Sequence, residues 1–261
     1  MATAPRTTRE VDYPTSDGKP MAETELHWQV MVDGVETLRD FFDADPMVHV
    51  GGNLLLYYER GNKRKHVSPD VFMVRGVPKL PLRDYYLLWE EGRPPDAVIE
   101  ITSKTTRRED QTKKREIYRD VLKITEYFQF DPTEDYLKPS LQGVRRVGDE
   151  YVPIELVDGR LPSAVLGLHL ERRGWELRFW DPTRGVHLLT PKEQRESARQ
   201  RAEQEAQRAE QEAQRAAAAE EREAIERQAA AAVQQELQAE NERLRRELEA
   251  LRRGRGGGQE P

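Results

Sequence analysis

The chain reads as a mixed α/β domain followed by a long charged helix. Three observations predict this. Short apolar runs between residues 47 and 181 are punctuated by proline and glycine. Amphipathic stretches at Met21 to Phe42 and Thr106 to Leu122 are set among them. After Pro191 there is no further proline or glycine until Gly254. Strands interspersed with helices build a mixed sheet with helices packed on it. The predicted division is a disordered leader at 1–20, a globular domain at 21–190, a helical tail at 191–253 and a flexible stub at 254–261.

In the first helical stretch Leu26, Val30, Val35, Leu38 and Phe42 recur at three- to five-residue steps, one face of a helix. Asp45-Pro46 ends it. Met47 to Val50 and Leu54 to Tyr58 flank Gly51-Gly52-Asn53 and read as a hairpin. Val67 to Val74 is a further strand, interrupted early by Pro69. Residues 76–95 are loop-rich, and Tyr85 to Trp89 within them is a short helix or strand. Asp96 to Thr102 is an apolar strand. Thr106 followed by Glu109 is a capping-box signature for the helix that runs to Leu122. Glu126 to Phe130 is a strand closed by Asp131-Pro132. Val144 to Val147 and Tyr151 to Ile154 form a hairpin around Gly148-Asp149, and Leu177 to Trp180 ends at Asp181-Pro182.

Composition excludes several classes. Cysteine is absent, so disulfides and thiolate metal sites are excluded and a reducing cytoplasm is the expected setting. No apolar run has the length of a membrane span, and the polar N-terminus has no apolar signal core. The net charge of −6 is not that of a globally basic nucleic-acid binder. The charges are uneven, however: Gly61 to His66 and Lys104 to Arg115 are locally basic. Gly51-Gly52 lacks a following lysine at phosphate-loop spacing, so no nucleotide cofactor is expected.

In the tail, the heptad 201–207 recurs unchanged at 208–214. Alanines at 202, 206, 209, 213 and 216 step by four and three, as do Leu237, Asn241, Leu244, Leu248 and Leu251. The phase slips around Ala217 to Ala232, so two coiled-coil segments joined by a stutter are predicted. Pairing of the leucine seam with a second copy would make a homodimer dependent on residues 233–252. A single solvated helix is the alternative.

Two carboxylates sit inside apolar strand-like runs: Asp70 opens Asp-Val-Phe-Met-Val, and Glu100 lies within Ala97 to Thr102. A carboxylate there is costly unless paired or metal-bound, and two together can hold Mg²⁺. The plain alternatives are a turn aspartate after Pro69 and an edge-strand glutamate facing water. Asp110, Lys114 and Tyr118 lie at i, i+4 and i+8, on one helix face. Lys114 therefore either points back over the Glu100 strand or pairs with Asp110 at the surface.

Pro69-Asp70, Val98-Ile-Glu100-Ile-Thr-Ser103, Asp110-x-x-x-Lys114-x-x-x-Tyr118, Glu126-Tyr-Phe128 and Asp131-Pro132 together resemble the Uma-two family of restriction endonucleases, within the PD-(D/E)xK nuclease superfamily. The resemblance covers about residues 22–190. It implies a restriction-endonuclease-like fold, with Asp70 and Glu100 as ligands of Mg²⁺ (or Mn²⁺) and Lys114 as the catalytic lysine. Thr102 stands where the superfamily pattern has lysine. Lys114 matches the helical position to which the family's lysine has moved, and Lys113 is its neighbour. An acidic residue on the first helix would complete the set, with Glu25 first and Glu23 and Glu36 behind it. The implied activity is hydrolysis of DNA phosphodiester bonds. The alternative is a catalytically silent DNA-binding or scaffold protein that recruits partners through its coiled coil. The assignment requires that the tips of Asp70, Glu100 and Lys114 meet within roughly 4–7 Å. Removing one of two buried like charges relieves repulsion while losing a ligand, so Glu100→Gln is expected to abolish divalent-metal binding with little loss of stability.

Overall fold

The computed structural model describes residues 13–16, 18, 24–103 and 110–255, apart from the side chains of 110, 111 and 253–255. The predicted capping box at Thr106 and Glu109, the basic residues at 104 and 107–108, Glu23 and the side chain of Asp110 lie outside the described residues. The chain divides into two compact units, one ending at Gln194 and one beginning at Arg195.

A six-stranded mixed sheet forms the centre of the first unit. Its strands are β1 (Val48–Gly51), β4 (Val71–Arg75), β6 (Ala97–Ile101), β7 (Glu126–Phe130), β8 (Leu141–Val147) and β9 (Glu150–Pro153), in the order β1-β4-β6-β7-β8-β9. Neighbours are antiparallel except β6 and β7, which are parallel. Parallel strands need a crossover connection. The helix between them, α3, supplies it as two π-helical stretches, Asp110–Lys114 and Ile117–Val121, joined through Arg115 and Glu116. This connection lays α3 against β6.

The side-chain alternation of a strand sends neighbours to opposite faces, and both faces of this sheet are covered. Val71, Met73, Ile99, Ile101, Phe128 and Phe130 pack with α1 (Glu25–Phe41) through Val30, Met31, Val35 and Leu38. The same cluster includes Leu161, Leu168, Leu170 and Phe179 of a second sheet, formed by β10 (Leu161–Ser163), β11 (Leu168–Arg173), β12 (Glu176–Asp181) and β13 (Val186–His187). On the opposite face Phe72, Val74, Val98 and Tyr127 pack with Tyr118 of α3 and Ile124. Leu56 of β2 (Leu56–Tyr57), Val67 of β3 (His66–Val67) and Tyr86 of β5 (Tyr86–Leu87) complete that layer. A short helix α2 (Leu88–Glu91) follows β5, so Tyr85 to Trp89 is strand and helix in turn.

Three expectations need correction. Gly51-Gly52-Asn53 does not close a hairpin: β1 pairs with β4, and β2 pairs with β3 and β5. The glycines are there for close approach. A Cβ on Gly51 would stand 2.5 Å from the Phe72 ring, and one on Gly52 would stand 2.7 Å from the carbonyl oxygen of Asp70. Second, the leader is packed at Tyr13 and Pro14. Tyr13 is buried among Tyr57, Tyr85 and Trp89, its hydroxyl accepts from Gly61 N at 2.6 Å, and Pro14 O accepts from the Tyr57 hydroxyl at 2.8 Å. Third, the tail has no stutter. It is one α-helix, α4 (Pro191–Arg255), and Leu237 follows Ala216 by 21 residues, three whole heptads. The alanine and leucine seams therefore share one phase, and Glu220, Glu223 and Arg227 interrupt it with charge. Thr190 and Glu193 cap the start: Thr190 N donates to Glu193 Oε2 at 2.8 Å and Glu193 N to Thr190 Oγ1 at 3.3 Å.

The loop after β7 hangs on Asp131, which is fully buried. Its carboxylate accepts from the backbone N–H groups of Thr133, Glu134, Tyr136 and Leu137 at 2.6–3.1 Å and from the Thr133 hydroxyl at 2.9 Å. Burial pushes its pKa up, but the Tyr136, Leu137 and Thr133 donors outweigh this and hold it below the ordinary value. Its contribution to stability is therefore complete above the ordinary aspartate range and is lost as pH falls through the lowered value. Asp131→Ala should cost about 3 kcal/mol at neutral pH. Denaturant unfolding of wild type and variant should show the gap closing as pH is taken down through the acid range.

Candidate active site

The site is built where β4 begins and β6 ends. The antiparallel register sets Val71 against Ile99, so Asp70, one residue earlier, stands at the position opposite Glu100. Pro69 precedes Asp70 and, lacking an N–H, cannot donate to a strand ladder, so β4 begins only at Val71. Asp70 Oδ2 accepts from Ile101 N at 2.7 Å, while Oδ1 lies 3.2 Å from His27 Nε2. Burial would raise the Asp70 pKa. The His27 ring, the Lys114 charge and the Ile101 N–H outweigh it and hold the carboxyl below the usual range, so it is an anion at neutral pH.

Glu100 is wholly buried. It sits on the face of β6 that carries Val98, toward α3. Lys114 Nζ donates to its Oε2 at 3.0 Å and the Tyr118 hydroxyl to its Oε1 at 2.5 Å. Lys114 and Tyr118 are four residues apart, hence on one helix face, and the crossover brings that face over the strand. The Lys114 side chain is 14% exposed, so the ammonium group is mostly shielded from water and its charge acts strongly on its neighbours. The structure thus joins Lys114 to Glu100 directly and sets Asp70 opposite Glu100.

Thr102 lies two residues beyond Glu100 and therefore on the same face. It is buried, and among the described residues its Oγ1 has no hydrogen-bond partner. Gln129 is the register partner of Glu100 on the parallel strand β7; it is also buried, and its Nε2 has no partner among the described residues. A buried polar atom without a partner is costly, and these two flank one carboxylate. Both can donate to a water or a phosphate oxygen.

The remaining predicted residues fall elsewhere. Glu25 is exposed. It precedes His27 by two residues, about 200° around the helix, so it points away from the pair. Glu36 engages Arg39 at 2.8 Å, and Lys113 is exposed. His66 contacts its own loop through Lys63 O at 2.9 Å. The first helix meets Asp70 through His27 instead. The signal for it was a histidine on the apolar face, three residues before Val30 and four before Met31. Glu126 is another buried carboxylate, but Arg145, Ser163 and the backbone N–H groups of Ala164 and Val165 engage it. It joins β7 to the second sheet and has a structural task.

Among the described residues no group of three or more His, Asp or Glu is set to hold a metal ion. The Asp70–Glu100 pair still fits a divalent cation that keeps several waters. Carboxylate oxygens each carry two lone pairs, and Thr102 and Gln129 offer polar groups beside the pair that no other described residue engages.

A mixed α/β sheet with two such carboxylates on adjacent strands, and a lysine from the crossover helix paired with one of them, defines a restriction-endonuclease-like domain. The chain belongs to the Uma-two family, whose model, described as "Putative restriction endonuclease", matches residues 4–177. No functionally curated protein matches the chain. Among solved structures, it is similar to a crystal structure from Anabaena variabilis titled as a "putative nuclease belonging to DUF820". That likeness has 18% identity, covers 57% of this chain and 78% of the other, and has a TM-score of 0.42. No helix among the described residues is long and apolar enough to cross a membrane.

Proposed function

We propose that the chain is a metal-dependent endonuclease that hydrolyses phosphodiester bonds in DNA and acts as a homodimer. The observation that carries this is the contact of Lys114 with buried Glu100, opposite Asp70, in a chain of this family. Asp70 and Glu100 would hold Mg²⁺ or Mn²⁺. Such an ion lowers the pKa of bound water and neutralises charge on phosphoryl oxygens. Ile101 N–H and His27 fix the Asp70 carboxylate, and Tyr118 fixes that of Glu100, so neither needs to reorient when substrate arrives. Lys114 brings a compact cationic donor to the same point, suited to a phosphate oxygen or the attacking water. Thr102 Oγ1 and Gln129 Nε2 supply further donors to the floor of the site. Exposed Lys63, Arg64 and Lys65, on the turn between β2 and β3, add local positive charge for a polyanion.

The test is cleavage of duplex, single-stranded and branched DNA, with RNA alongside, in Mg²⁺, in Mn²⁺ and in EDTA. Divalent-dependent cutting of DNA is expected. A folded protein that binds DNA in every condition and cuts none of it would overturn the reading in favour of a silent scaffold.

A further inference from the structure

The exposed face of α4 carries more information than its leucines. Leu237, Leu244, Leu248 and Leu251 are each 49–71% exposed, on a helix with no partner among the described residues. Asn241 lies in the same stripe. Assigning Leu237, Leu244 and Leu251 to heptad position d, and Asn241 and Leu248 to a, places Glu240 and Glu247 at g and Arg245 and Arg252 at e. In a parallel two-stranded coiled coil each g residue faces the e residue five positions later on the other strand. Glu240 would then meet Arg245 of the second copy, and Glu247 would meet Arg252. All four contacts in the symmetric pair are Glu–Arg. In an antiparallel pair g faces g and e faces e, which sets Glu against Glu and Arg against Arg.

Within one helix Glu240 and Glu247 reach only Arg243, at 3.9 and 3.5 Å. Arg245 and Arg252 have no ion pair among the described residues. Arg245 and Arg252 are therefore cations without a partner on their own helix, and Glu240 and Glu247 of a second copy would match them. The alanine seam differs: Glu205 at g would face Glu210 at e, a like-charged pair, over a seam that buries little area. Pairing favours the leucine segment and not the alanine one.

We infer that a second copy of this chain covers the leucine stripe as a parallel, in-register coiled coil over residues 233–252, with Glu240–Arg245 and Glu247–Arg252 pairs between strands selecting that orientation. Asn241 then faces Asn241, the polar a-position contact that fixes register. This deepens the homodimer reading and rests on it, but it does not depend on catalysis at the Asp70 site. Parallel pairing sets the two α4 N-termini, where each chain enters its tail, at the same end of the coil.

The full-length chain should sediment as a dimer at about 50 μM, well above a micromolar dissociation constant. Glu240→Arg with Glu247→Arg, and separately Arg245→Glu with Arg252→Glu, should each weaken association by about tenfold or more. Mixing the two double variants should restore it, which shows that the loss was not one of helix formation. Circular dichroism of each variant alone gives the same control. Because the chain has no cysteine, Leu237→Cys reports orientation cleanly, and oxidation should cross-link Leu237→Cys chains to each other. A monomeric wild type would overturn the dimer and with it this inference. A dimer that cross-links Leu237→Cys only to Leu248→Cys chains, the a–d contact of an antiparallel pair, would overturn the parallel pairing alone. Neither result would bear on DNA cleavage by the globular unit, which is assayed separately.

Discussion

Lys114→Ala is expected to reduce DNA cleavage by about a thousandfold, the scale set by removing one well-placed charge-stabilising donor from a shielded site. It should also lower unfolding stability by about 3 kcal/mol. Glu100 is wholly buried, and its Oε2 accepts from Lys114 at 3.0 Å. Removing the cation leaves a buried carboxylate facing another, and breaking one side of such a pair costs more than the pair itself contributes. Lys114→Arg should recover stability better than activity, because a planar fork does not place its donors where a compact ammonium does. The checks are single-turnover cleavage rates and denaturant midpoints for the two variants. Full activity in a folded Lys114→Ala protein would remove lysine from the mechanism.

Glu100→Gln should abolish Mn²⁺ binding at this site in calorimetric titration, since the variant keeps shape but loses the anionic ligand. Its effect on stability differs from what repulsion between two carboxylates would give. The structure shows that the charge of Glu100 is already met by Lys114 and by the Tyr118 hydroxyl at 2.5 Å. Neutralising it strands the ammonium group, so a loss of about 2 kcal/mol is expected in place of near neutrality. Unchanged Mn²⁺ affinity in Glu100→Gln would show that Glu100 is not a ligand.

Local periodicity made most of the strands and both long helices legible. What it could not show was pairing between distant segments. Gly51-Gly52-Asn53 has the composition of a hairpin turn, but its glycines admit Phe72 and the Asp70 carbonyl, and that need arises only once β1 lies beside β4. Asp70 and Glu100 stood out because a carboxylate inside an apolar run demands a partner. The identity of the partners was less visible. Lys114 depended on a parallel β6–β7 pair and its crossover helix. His27 rather than Glu25 meets Asp70, because a two-residue offset turns the helix by about 200°. Thr102 stands where lysine is expected, and its burial without a hydrogen-bond partner among the described residues makes it part of the floor. Gln129 gave no signal at all, since its place beside Glu100 is set by strand register alone. In the tail, seams that look out of phase by eye prove to be three heptads apart.

The most direct measurement of the central claim compares wild type and Asp70→Ala, both shown to be folded, in the same DNA cleavage assay with Mg²⁺ or Mn²⁺. The account predicts divalent-dependent cutting by wild type, abolished by EDTA and absent in Asp70→Ala. Equal cutting by the two proteins would contradict it.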